Sequence, residues 1–147
     1  MIEILVVDDF EPFRRDVTSM IQKHPHLRVV EEVWDGLQAI HKAAELQPDL
    51  VLLDIGLPTL NGIEAARIIR CNSPLANIVF LTQESSPEIV TEAFNLGARG
   101  YIVKLDVARD LLIGIEAVVR GEKFVSSSLE GNGAQDFTIR DQPNFPK

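Results

Sequence analysis

Short apolar runs and helical patterns alternate five times between Ile2 and Gly121, and few folds accept that order. The runs IEILVV (2–7), LRVVEEV (27–33), LVLL (50–53), NIVFL (77–81) and GYIV (100–103) are too short for helices. They are rich in β-branched residues and read as strands. LVLL is apolar throughout, as a strand buried on both faces must be, whereas LRVVEEV is polar enough to belong at a sheet edge. The intervening stretches carry helical signals. Glu11-Pro12 opens the first, and Phe13, Val17, Met20 and Ile21 then share one face. The second, DGLQAIHKAAEL, stops before Pro48, and Asn61 is placed to cap the third, GIEAARIIRC. Ser86 and Pro87 start the fourth and Gly97 follows its end; VARDLLIGIEAVVRG is the fifth, closed by Gly121. Strand-then-helix units in series predict an α/β fold: one parallel sheet with helices on both faces.

Past Gly121 the periodicity dissolves into Ser, Gly, Asn and Pro, so 1–121 is read as the domain and 122–147 as an extended, partly disordered tail. A net charge of −8 argues against a bare nucleic-acid binder, which needs a Lys/Arg excess to displace counterions. No apolar run approaches the ~20 residues of a membrane helix. Met1-Ile2-Glu3-Ile4 has no basic region and begins a strand rather than a signal peptide. The single cysteine, Cys71, excludes an internal disulfide and suits a reducing cytoplasm.

In a parallel sheet all strand C-termini lie along one edge, and open α/β sheets place their ligand sites there, where the strand order reverses. The first polar residues after the inner strands are Asp8-Asp9, Asp54, Thr82 and Lys104. Topology therefore predicts three acids, a hydroxyl and an ammonium at one spot. Three carboxylates without His or Cys suit a hard cation such as Mg²⁺. A carboxylate so placed can attack a phosphoryl group, and the cation and the ammonium can neutralise the charge that spreads over its oxygens.

With VVDD (6–9), LLDIGLP (52–58), LT (81–82) and LGARGYIVK (96–104) at these spacings, the chain resembles a response regulator receiver domain of two-component signalling over roughly residues 2–121. The stretch YIVKLDVARDLLIGIEAVVRGEKFVS is most similar to receivers of the LuxR/FixJ type, whose second domain is a helix-turn-helix DNA binder. The resemblance implies a flavodoxin-like doubly wound sheet of five strands in the order 2-1-3-4-5. It implies Asp54 as phosphoacceptor and Mg²⁺ held by Asp8, Asp9, Asp54 and the Gly56 carbonyl, with Asp9 the direct aspartate ligand of the first pair. Thr82 and Lys104 would bind the phosphoryl group. Tyr101 would be a switch that turns inward when Thr82 moves, changing the surface made by the fourth helix, fifth strand and fifth helix. The implied partners are a sensor histidine kinase and a second copy of the chain, with no membrane and no nucleic acid through this chain itself. Transcription regulation would come through a helix-turn-helix domain.

Two departures from the family pattern stand out. Leu105 occupies a place where many members have proline, which predicts no cis peptide after Lys104. Gln83 stands where a small residue is commoner and would narrow access to Asp54. Three other classes compete with the switch, which modifies only itself and is not an enzyme on a separate metabolite. An aspartate-nucleophile phosphatase needs an acid two residues after the nucleophile, and that position is Gly56. A flavodoxin-like electron carrier needs a phosphate loop after the first strand, where VDDFEPF would repel phosphate. A receiver-shaped binding module that takes no phosphate would keep the fold and lose the site, whose residues here are all present.

Overall fold

The computed structural model describes residues 1–132, so the expected tail falls outside the described residues from 133 onward. Strands β1 (Ile2–Val7), β2 (Leu27–Val33), β3 (Leu50–Leu53), β4 (Asn77–Thr82) and β5 (Gly100–Val103) alternate with helices α1 (Glu11–Gln22), α2 (Gly36–Leu46), α3 (Gly62–Asn72), α4 (Pro87–Asn95) and α5 (Val107–Val119). A short β6 (Phe124–Val125) follows. The sheet is parallel with the order β2-β1-β3-β4-β5-β6, the expected flavodoxin-like arrangement lengthened by one strand. The polar β2 lies at an edge and the apolar β3 at the centre.

Strand alternation divides the core. Leu5, Val7, Leu53, Ile78 and Phe80 point to the face covered by α2, α3 and α4, where Ala39, Ala43, Ala66, Ile69 and Ala93 pack. Ile4, Val6, Leu52, Val79, Leu81 and Ile102 point to the face covered by α1 and α5, against Val17, Ile21, Leu111, Ile115 and Val118. Burying apolar side chains on both faces fixes the register, because a one-residue slip would exchange the faces.

Caps set the helix starts. The Asp35 carboxylate accepts from the Gln38 N–H at 2.8 Å, and the Asn61 side chain accepts from the Glu64 N–H at 3.0 Å. Gly97 turns the chain after α4 at φ +113°, a conformation open to glycine.

The fold continues beyond Gly121. Gly100 and Tyr101 pair with Phe124 and Val125, and Leu129 packs into the core on the α4 side. Among the described residues no helix is long and apolar enough to cross a membrane.

Candidate functional site

β1 and β3 are neighbours, and Val7 pairs with Leu53. The residues that follow each strand therefore emerge side by side, and the Asp54 N–H donates to the Val7 carbonyl at 3.1 Å. Carboxylate oxygens of Asp8, Asp9 and Asp54 all lie within 4.8 Å of one another. Asp8 and Asp54 are buried and Asp9 is exposed.

Lys104, just past β5, reaches into this group. Its Nζ lies 2.8 Å from Asp8 Oδ2 and 3.1 Å from Asp54 Oδ2, and 4.5 Å from the Phe13 ring centroid. Burial alone would lower the lysine's pKa, but the bond to Asp8 and the charges of Asp54 and Asp8 outweigh it and raise the value above 10.5. Asp8 moves the other way from most paired acids. Burial pushes its carboxyl above 3.8 and the Asp54 charge adds to this, while hydrogen bonds from Lys104 and the Phe10 N–H pull it back. One ammonium is thus shared by two buried acids, with a third beside them.

Thr82 ends β4 and is buried, its hydroxyl accepting from the Glu84 N–H at 3.4 Å. Thr82, Gln83, Glu84, Gly56 and Lys104 line, with Asp54, a cavity of about 840 Å³ open to solvent. The exposed Gln83 is part of that wall. The donor set is oxygen alone, from three clustered carboxylates and the loop carrying Gly56, and this fits a hard divalent cation such as Mg²⁺. The Lys104–Leu105 peptide is trans, as its sequence suggested.

Tyr101, the residue implied as a switch, lies on β5. The ring is already fully buried, its hydroxyl donating to the Glu84 carbonyl at 2.9 Å. Burial pushes the phenol far above its ordinary value of 10.0. Its ring shares a core cluster with Phe80, Val90 and Phe94 and, from the segment after α5, Val125 and Leu129, while β6 lies outside β5.

Other residues that shape the site were not singled out by the sequence. Arg14 lies on the buried face of α1, donating to the Asp8 carbonyl at 3.0 Å and to Glu32 at 2.9 Å, so it ties the acid turn to β2. Its signal was its place on the stripe with Val17, Thr18 and Ile21, where a charge needs a partner. Gly62 begins α3 against the acceptor loop; a Cβ there would lie 2.0 Å from the Asp54 carbonyl oxygen. Asp106 and Asp110, four apart at the start of a largely apolar helix, are both buried and bind Ser126, Ser127 and Ser128.

Comparison with known proteins agrees with this fold. The family model described as the response regulator receiver domain matches residues 4–115. The nitrate/nitrite response regulator protein NarL of Escherichia coli (strain K12) is 36% identical over 126 residues, covering 86% of this chain and 58% of that protein. The transcriptional regulatory protein LnrK of Bacillus subtilis (strain 168) is 34% identical over 113 residues, 77% of this chain and 51% of its own length. The chain thus spans about half the length of the curated relatives it matches. A crystal structure of a LuxR-family two-component response regulator from Aurantimonas sp. SI85-9A1 superposes with a TM-score of 0.86 at 32% identity, covering 91% of this chain and 96% of that one.

Proposed function

The chain belongs to the response regulator receiver domain family, and from that premise we propose that it is a phosphoryl-accepting signalling switch with Asp54 as the acceptor. One observation carries this reading. Asp54 is buried at the sheet edge, paired with Lys104 and clustered with Asp8 and Asp9, yet faces an open cavity. In the transfer an Asp54 carboxylate oxygen attacks the phosphorus of a phosphohistidine. The O–P bond forms as the P–N bond breaks, and the imidazole nitrogen leaves with the electron pair of that bond. Lys104 donates to the phosphoryl oxygens and the Thr82 hydroxyl does the same, offsetting the charge they carry. Asp8, Asp9, Asp54 and the Gly56 carbonyl are the groups that would hold Mg²⁺. When bound, the ion supplies positive charge beside those oxygens.

The donor in this reading is a sensor histidine kinase in the cytoplasm. Phe10 and Leu105, 61% and 88% exposed, stand at the rim of the cavity, and apolar groups there favour a protein donor over a small metabolite. Phosphorylation adds about two negative charges at one point. Drawing Thr82 toward them moves the loop that follows β4, and the Glu84 carbonyl in that loop holds the Tyr101 hydroxyl. The surface of α4, β5 and α5 then changes for the next partner, such as a second copy of the chain. By analogy with regulators such as NarL and LnrK, the output is control of transcription.

The test is intact mass after incubation with acetyl phosphate and Mg²⁺. Wild type should gain one phosphoryl group and Asp54→Asn none. An undiminished adduct in that variant places the acceptor elsewhere.

A further inference from the structure

The segment after α5 is fastened to the body through two buried carboxylates that the phosphoryl reading does not use. The Ser126 hydroxyl donates to Asp106, and its oxygen accepts from the Val103 N–H at 3.2 Å. The Ser128 N–H donates to Asp106 at 2.9 Å. Asp110 accepts from the Ser127 N–H at 2.7 Å and from its hydroxyl at 2.9 Å. The backbone adds β6, with the Phe124 and Ser126 N–H groups donating to the Arg99 and Tyr101 carbonyls at 3.0 and 2.9 Å. Leu129 completes the attachment, 4% exposed in the same core as Tyr101 and Val103.

This attachment reaches the acceptor site at two points. Ser128 and Leu129 form part of the wall of the cavity that holds Asp54, Thr82 and Lys104. Lys104 and Asp106 also belong to one 3-10 turn, closed by the Val107 N–H on the Lys104 carbonyl, so the site's ammonium and an anchor of the segment ride on the same short piece of backbone.

We propose that Phe124–Leu129 is a strap, latched by Asp106 and Asp110, that is docked while Asp54 is bare and released when Asp54 carries a phosphoryl group. The inference rests on Asp54 being the acceptor, although the latch itself does not. Its direction follows from charge and solvation. The modification places about two negative charges in a cavity walled on one side by an apolar leucine. A dianion beside Leu129 gains by admitting water, which opening that wall allows. Lys104, now shared with Asp8, is drawn toward the phosphoryl oxygens and pulls on the turn that carries Asp106. Release would uncover β5 and Tyr101 and free the chain that continues past the strap, joining the state of Asp54 to whatever follows in sequence.

The experiment measures thiol labelling at position 129 in the full chain carrying Cys71→Ser and Leu129→Cys. With Mg²⁺ alone the thiol should react slowly. With Mg²⁺ and beryllofluoride, a mimic of the phosphoryl group, labelling should accelerate at least tenfold. Asp110→Asn in the same background should accelerate it without the mimic and, because coupling is reciprocal, should tighten beryllofluoride binding by a similar factor. Amide exchange of residues 124–129 in the otherwise unaltered protein gives the same comparison should the leucine replacement perturb folding. Bound beryllofluoride, followed by fluorine NMR, with no change in labelling or exchange overturns the strap alone. Failure of beryllofluoride to bind overturns the acceptor reading and the coupling with it. Slow labelling in Asp110→Asn overturns the latch.

Discussion

Replacing Lys104 by methionine keeps an unbranched stem as far as Cε and removes the ammonium between Asp8 and Asp54. The two carboxylates approach within 4.8 Å. At that separation and an effective dielectric of about 20, their mutual repulsion is about 3.5 kcal/mol. Not all of it will appear as lost stability. Asp8 already holds its proton more tightly than an ordinary aspartate, so proton uptake relieves part of the strain. The lysine side chain is also 15% exposed, so water screens some of its charge. The expected destabilisation of the metal-free protein at neutral pH is therefore about 2 kcal/mol, below the 3–5 typical of breaking a fully buried pair. Saturating Mg²⁺ would restore most of it, because the ion then compensates the same acids. The same charge should compete with the ion in the wild type, so Lys104→Met should bind Mg²⁺ about tenfold more tightly, the equivalent of about 1.4 kcal/mol. Urea unfolding in chelator and in Mg²⁺, with calorimetric titration of the ion, measures both effects. Wild-type stability in chelator together with unchanged or weaker Mg²⁺ binding would refute the view that Lys104 stands in for the cation.

Asp9→Ala should weaken Mg²⁺ binding more than Asp8→Ala, since Asp9 is exposed to the cavity while Asp8 is held by Lys104; equal losses by calorimetry would contradict this. Gln83→Ala should speed phosphorylation by acetyl phosphate at unchanged metal affinity, and a rate at or below wild type would mean that the side chain does not obstruct the approach. Gly62→Ala gains helix propensity, at most about 1 kcal/mol. It also drives a Cβ to 2.0 Å from the Asp54 carbonyl oxygen and 2.7 Å from Ile55 Cα. Both neighbours are backbone, so we expect a net loss of about 2 kcal/mol in urea unfolding and slower phosphorylation. A more stable variant with normal phosphorylation would show that the close approach is relieved without cost.

Hydrophobic periodicity alone determined the element order. Runs such as LVLL leave no polar face, so they had to become central strands, while the charged residues of LRVVEEV kept β2 at the margin. The parallel sheet followed, and with it the convergence of Asp8, Asp9, Asp54, Thr82 and Lys104, because topology sends every strand's C-terminus to one edge. Contacts made at long sequence separation were decided by the tertiary structure. Nothing near Lys104 in sequence says that it bridges Asp8 and Asp54, which lie 96 and 50 residues away by their numbers. The Ser-rich stretch after Gly121 reads as tail because its hydroxyls and amides find no partners locally. Asp106, in the turn before α5, and Asp110, in α5, supply them, and β5 offers an open edge for Phe124 and Val125. That added strand gives β5 a neighbour on its outer side and brings Val125 and Leu129 into the core that holds Tyr101. Local pattern reports which face a residue prefers, whereas the partner of a buried charge or an unpaired strand edge is fixed only when distant segments meet.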